Sequence, residues 1–119
     1  VGLANVYGLD ARNRRCSWAF YVADPSARGK GVGSFVEHFV LRYVFDELAL
    51  NKLSCEVLEF NEPVTTMHRS FGFQQEAFYR EHILKGDQWH NVVGLAMLRE
   101  EWEARKPEIE ERLRRRGLL

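Results

Sequence analysis

Ala27-Arg28-Gly29-Lys30-Gly31-Val32-Gly33 follows an apolar, strand-like run and leads directly into an amphipathic segment. Glycines at 29, 31 and 33 permit backbone conformations closed to other residues and leave their N–H groups bare to a ligand. Those donors lie at the start of the helix that the next residues predict, where unsatisfied N–H groups and the positive end of the dipole favour an anion. The stretch reads as a phosphate-binding loop, and its spacing narrows the ligand. A dinucleotide fingerprint begun on Gly29 and Gly31 needs a third glycine where Ser34 stands, and a P-loop needs Ser or Thr where Gly31 stands. What is left is Arg28-x-x-Gly31-x-Gly33, with an ordinary glycine-rich turn before a helix as the plain alternative.

Upstream of the loop, Val1 to Leu9 and Cys16 to Val22 predict a hairpin joined through residues 10–15, ended by Asp24-Pro25-Ser26. Downstream, apolar residues at 35, 36, 39, 40, 43, 44 and 48 predict an amphipathic helix over Ser34 to Leu50. Its solvent side carries Glu37, His38, Arg42, Asp46 and Glu47. Lys52 to Phe60 predicts a buried strand, and strand-helix-strand order implies a right-handed parallel crossover. Asn61-Glu62-Pro63 opens a short helix with Asn61 as N-cap, carrying Val64, Met67 and Phe71 on one stripe and stopping at Gly72. Glu76 to Leu84 and Gln88 to Leu98 flank Lys85-Gly86-Asp87 as a second hairpin. Pro107 to Arg116 predicts a solvated tail helix with only Ile109 and Leu113 apolar, supported by pairs of Glu108 with Arg112, Glu110 with Arg114 and Glu111 with Arg115.

At 119 residues and 45% hydrophobic, the chain is expected to form a single domain over 1–119, with its core in 1–102 and the tail helix at about 107–116. Seventeen basic and seventeen acidic residues cancel, so the global field argues for neither a nucleic-acid nor a membrane partner. Charges interrupt every apolar run, and no signal-peptide pattern opens the chain, so a cytoplasmic location is expected. Cys16 and Cys55 lie in strand-like runs as expected buried thiols, and the histidines at 38, 68, 82 and 90 have no metal-ligand spacing. The chain opens on Val1 inside a strand-like run, from which an N-terminal portion is expected to be lacking.

A second constellation stands about thirty residues after the loop: Glu56, Asn61, His68 and Gly72-Phe73. Together with Arg28-x-x-Gly31-x-Gly33, it resembles the paired signature of the GNAT N-acetyltransferases. The terminal hairpin, Arg80 to Gly86 and Val92 to Leu98, followed by Arg99-Glu100-Glu101-Trp102, is most similar to the branch of the ribosomal-protein N-acetyltransferases and the amino-sugar acetyltransferase of pseudaminic-acid synthesis. The resemblance implies an N-terminally truncated α/β (α+β) fold: a mixed, mostly antiparallel sheet with a central parallel splayed strand pair and flanking helices. It also implies acetyl-CoA as co-substrate, and transfer of acetyl to a primary amine on a small molecule or a peptide. A nucleotide-linked amino sugar is placed ahead of a protein N-terminus or a polyamine; the alternatives are a non-catalytic acyl-CoA-binding domain and an assembly module. If the family's first strand is lacking, Val1 to Leu9 becomes an exposed sheet edge, and self-association through it is expected.

The resemblance places the cofactor's diphosphate on Arg28, Gly29, Lys30, Gly31, Val32, Gly33 and Ser34. A backbone N–H near Tyr21 or Val22 polarises the thioester carbonyl, and Asn61 contacts the pantetheine arm unless it serves only as a helix cap. Glu56 is a carboxylate in an otherwise apolar strand, so burial is expected to favour its neutral form and suit it as the base; a carboxylate on the sheet's polar side is the plain alternative. The family usually has Tyr at position 68 to protonate the departing thiolate. Here His68 either takes that task, for which its ordinary titration near ~6.5 is suited, or is a surface substitution. Trp18, Tyr79, His82, Trp89 and His90 are candidates for an acceptor pocket, with core packing as the competing explanation.

Overall fold

A computed structural model describes residues 2–22 and 31–119, with side chains from residue 4 to 20 and from 31 onward. The element order is β1 (Gly2–Asp10), β2 (Arg15–Val22), α1 (Val32–Leu41) continuing as a π-helical segment (Arg42–Glu47), β3 (Lys52–Leu58), α2 (Glu62–Phe71), β4 (Gln74–Lys85), β5 (Gln88–Leu98) and α3 (Arg99–Arg115). The five strands form one sheet in the order β1-β2-β3-β5-β4. Every neighbouring pair is antiparallel except β2 with β3. The expected mixed, mostly antiparallel sheet with a central parallel pair is therefore present.

That parallel pair is short. Its register runs only Arg15↔Lys52, Cys16↔Leu53 and Ser17↔Ser54, whereas β3 stays paired with β5 along its whole length, from Lys52↔Leu98 to Leu58↔Val92. Beyond Ser17 and Ser54 no ladder joins the two central strands among the described residues, while β2 stays paired with β1 and β3 with β5. Arg14 anchors the closed end, its carbonyl accepting from the backbone N–H groups of Asn51 and Lys52 at 2.7 and 3.2 Å.

Strand alternation sends Cys16 and Trp18 of β2, Leu53, Cys55 and Val57 of β3, and Val93, Leu95 and Met97 of β5 into one core. Val40, Leu41, Val44 and Phe45 from the first helix join them, with Phe71 of α2 and Trp102, Ile109 and Leu113 of α3. The first helix corrects the sequence expectation. It buries Glu37 and His38 and exposes Phe35, Phe39 and Tyr43. Both inward polar residues have partners on the other helices: Glu37 meets His68, and His38 Nε2 lies 2.9 Å from Glu110 Oε2. A buried polar group is tolerated when it is hydrogen-bonded, and apolar periodicity alone does not register such pairs.

The tail also differs from expectation. Rather than a solvated helix beginning at Pro107, α3 runs unbroken from Arg99 with Pro107 inside it, and Ile109 and Leu113 are fully buried. Trp102 Nε1 donates to Asp46 at 3.1 Å, and Lys106 pairs with the same carboxylate at 2.9 Å, tying α3 to the π-helical segment. Arg105 and Arg112 both donate to the Ser70 carbonyl at the C-terminus of α2, and Arg112 stacks over Phe71. Arg112 is thereby drawn away from the expected pair with Glu108, which meets Arg105 instead, while Glu110 with Arg114 and Glu111 with Arg115 form as the spacing predicts.

Candidate active site

The gap between β2 and β3 organises the site. One end of it is set by Gly31, which takes φ +82° to start α1 and leaves its N-terminal N–H groups without a side-chain cap. The Gly31 carbonyl accepts from Phe35 N–H at 2.9 Å. A Cβ on Gly31 would lie 2.6 Å from Leu118, and one on Gly33 would lie 3.1 Å from Met67 and 3.6 Å from Phe20. The absent side chains thus let the start of α1 close against β2, α2 and the segment after α3. Ser34 is in the first turn, where its hydroxyl accepts from Arg116 Nη1 at 3.3 Å. Gly31, Val32, Gly33 and Ser34 are accordingly together at a helix N-terminus, the arrangement that suits a diphosphate. Arg28, Gly29 and Lys30 lie outside the described residues.

Tyr21 and Val22 end β2, paired with Leu3 and Gly2 of β1 on one side. Their other side borders the gap, where no ladder to β3 forms. Asn61 stands at the N-cap of α2, but its side chain makes no capping bond; only its carbonyl engages the helix, accepting from Thr65 N–H at 3.1 Å and Thr65 Oγ1 at 3.2 Å.

Glu56 departs from expectation. Period-two alternation turns it away from buried Cys55 and Val57, so it stands exposed on the opposite face of β3. The burial anticipated for it is not found.

His68 is only 5% exposed and sits in the core. Its ring packs edge-on against Trp18 at 5.4 Å and tilted against Phe73 at 5.4 Å. Nδ1 lies 2.9 Å from Glu37 Oε2, and Glu37 is fully buried. It is therefore no surface substitution. Burial pushes the Glu37 carboxyl up, against the hydrogen bond and charge of His68 and the charge of Arg112. Glu37 Oε1 and Trp18 Nε1 are buried without a hydrogen-bond partner among the described residues. Cys55 is also raised, first by burial and then by the charges of Glu37 and Glu56.

Of the aromatic candidates, Trp18 is core and flanks His68, whereas Tyr79 and Trp89 are exposed on the second hairpin. Tyr79 stacks on His82 at 4.9 Å, and His90 meets Phe60 edge-on at 5.0 Å. Sequence reasoning missed Glu37, Arg116 and Leu118. Glu37 carried no signal because its partner is thirty-one residues away. Arg116 and Leu118 were hidden by taking the tail as solvated. Among the described residues no group of His, Cys, Asp and Glu is placed to hold a metal ion, and no helix is long and apolar enough to cross a membrane.

This geometry has counterparts in known proteins. The chain is 32% identical over 103 residues to the SPbeta prophage-derived uncharacterized N-acetyltransferase YokL of Bacillus subtilis, covering 87% of this chain and 58% of that one. It is 27% identical over 105 residues to the putative ribosomal N-acetyltransferase YdaF of the same organism, covering 88% and 57%. The chain thus spans less than two thirds of the length of these curated relatives. Its fold matches a crystal structure of the spermidine/spermine N-acetyltransferase SpeG from Vibrio cholerae with a TM-score of 0.84, at 22% identity, over 89% of this chain and 61% of that one. Residues 1–93 match the model of the acetyltransferase (GNAT) domain, and with the parted central strands and the glycine-started helix this places the chain in the GNAT acetyltransferase family.

Proposed function

We propose that the protein transfers acetyl from acetyl-CoA to a primary amine. The observation that carries this is the parting of β2 from β3 after Ser17↔Ser54, with the start of α1 closing against Phe20 and Met67 at its border. An extended pantetheine arm fits such a gap because its amides can take up the backbone groups that the missing ladder leaves free. The diphosphate is assigned to the N–H groups and hydroxyl of Gly31 to Ser34, with Arg28, Gly29 and Lys30 completing the loop, and Asn61 to the arm. A β2 N–H at Tyr21 or Val22 is assigned to the thioester oxygen, where charge develops as the amine attacks.

The two titratable candidates approach from opposite faces of the sheet. Glu56 stands on the open face, from which an amine can enter, and takes a proton from it directly or through water. His68 stands on the helix side and donates a proton to the sulfur as the C–S bond breaks. The acceptor we favour is a nucleotide-linked amino sugar, because the exposed Tyr79 and Trp89 offer faces on which a base can stack. A protein N-terminus or a polyamine are the competing choices; similar proteins are named as a putative ribosomal N-acetyltransferase and a spermidine/spermine N-acetyltransferase. A cytoplasmic setting and self-association through the β1 edge belong to the same proposal; β1 is an outer strand of the described sheet.

The test is thermal shift with acetyl-CoA, followed by thiol release with amino sugars, peptides and polyamines. A shift with thiol release on one amine class supports the proposal. A shift with release on none reduces the protein to an acyl-CoA-binding domain, and no shift removes both.

A further inference from the structure

We propose that Glu37 is a positioning residue for His68, one that fixes which ring nitrogen exchanges protons; this rests on the acid role given to His68 above. The carboxylate and the ring are both buried, and Nδ1 is 2.9 Å from Oε2. Trp18 and Phe73 hold the ring on its other sides, so neither partner is free to swing out to solvent. With Nδ1 committed to Glu37, proton traffic falls to Nε2. Position 37 lies one turn before buried Val40 and Leu41, on the face of α1 that meets the core, where an apolar residue is the ordinary choice. A carboxylate there with one oxygen unpartnered is a costly choice for packing alone.

The proton balance is simple. The amine nitrogen attacks the thioester carbon and the C–S bond breaks. The sulfur takes the Nε2 proton, Nδ1–H remains with Glu37, and the new amide nitrogen loses its extra proton to Glu56 or water. Solvent then reprotonates Nε2. The other titratable groups facing the pair are Arg112 of α3 and Cys55 of β3; His38, next in sequence, is occupied by Glu110.

The experiment compares Glu37→Gln, His68→Ala and the double variant in the full protein, with kcat and the KM for acetyl-CoA measured across pH. Glutamine keeps the size and an acceptor oxygen but loses the charge. Glu37→Gln should lower kcat roughly tenfold or more while leaving KM within about twofold. The double variant should be no slower than His68→Ala. An unchanged kcat in His68→Ala overturns the acid role itself. An impaired His68→Ala beside a Glu37→Gln of wild-type rate and pH profile overturns only the role of Glu37. The ¹⁵N imidazole spectrum of the unmodified protein serves if the variant does not fold: an unprotonated Nδ1 at neutral pH refutes the inference, and a protonated Nδ1 supports it.

Discussion

Leu113→Ala tests whether the second half of α3 belongs to the core. Leu113 is fully buried and lies two turns beyond Pro107, the residue at which a helix start was expected. Truncating it removes the transfer energy of the lost carbons and leaves a cavity, together about 2.7–5 kcal/mol for a buried leucine. The higher helix propensity of alanine offsets only a few tenths of that. For a chain of 119 residues, each kcal/mol lowers the melting temperature by about 4 °C, so a loss of about 10–20 °C is expected by circular dichroism. Arg115→Ala, at a side chain 72% exposed, is the control and should shift the midpoint by no more than about 2 °C. If α3 beyond Pro107 were solvated, the two variants would be indistinguishable. A drop below about 3 °C for Leu113→Ala would refute the docked helix and, with it, the placement of Leu118 against Gly31.

Three further outcomes are expected. Gly31→Ala should weaken acetyl-CoA binding, and lower stability by about 1–2 kcal/mol, because alanine is strained at φ +82° and its Cβ would meet Leu118 at 2.6 Å; calorimetric titration and thermal melting read both. Cys16 and Cys55 should resist a thiol reagent until the protein unfolds, since burial raises both thiols and withholds the reactive thiolate; labelling at the rate of an exposed cysteine would count against the fold. Glu37 is raised in the folded state, so the folded protein holds this proton more tightly than the unfolded chain. Its contribution is full below the ordinary glutamate range and is lost as pH rises through the folded value. Glu37→Gln should therefore gain stability relative to the wild type as pH rises from about 4.5. A constant difference across that range would contradict the direction given.

Much of the architecture was legible because local chemistry dictates it. Gly72 ends α2 at φ +112° and Gly86 turns the second hairpin at φ +64°, both as a left-handed position requires of glycine. The crossover from β2 through α1 to β3 followed from strand-helix-strand order, and the loop at Gly31 and Gly33 was legible from spacing. What escaped depends on partners distant in sequence. Glu37 and His38 look like solvent residues until His68 and Glu110 are brought to them across thirty-one and seventy-two residues. Pro107 looks like a helix start because proline is favoured there; in the structure the burial of Trp102, Ile109 and Leu113 on either side of it outweighs the lost hydrogen bond. Glu56 looked buried because its neighbours are apolar, yet only every second residue of a strand shares their face.

The placement of the three tryptophans also makes the molecule its own optical instrument. Trp18 lies edge-on to His68, Trp102 is sealed beneath α3 with its indole N–H on Asp46, and Trp89 stands in solvent at the far hairpin. Emission from Trp18 should follow the charge on His68, that from Trp102 the docking of α3, and that from Trp89 any acceptor stacking on it. Single-tryptophan variants would then separate protonation, tail docking and acceptor capture as three signals from one sample.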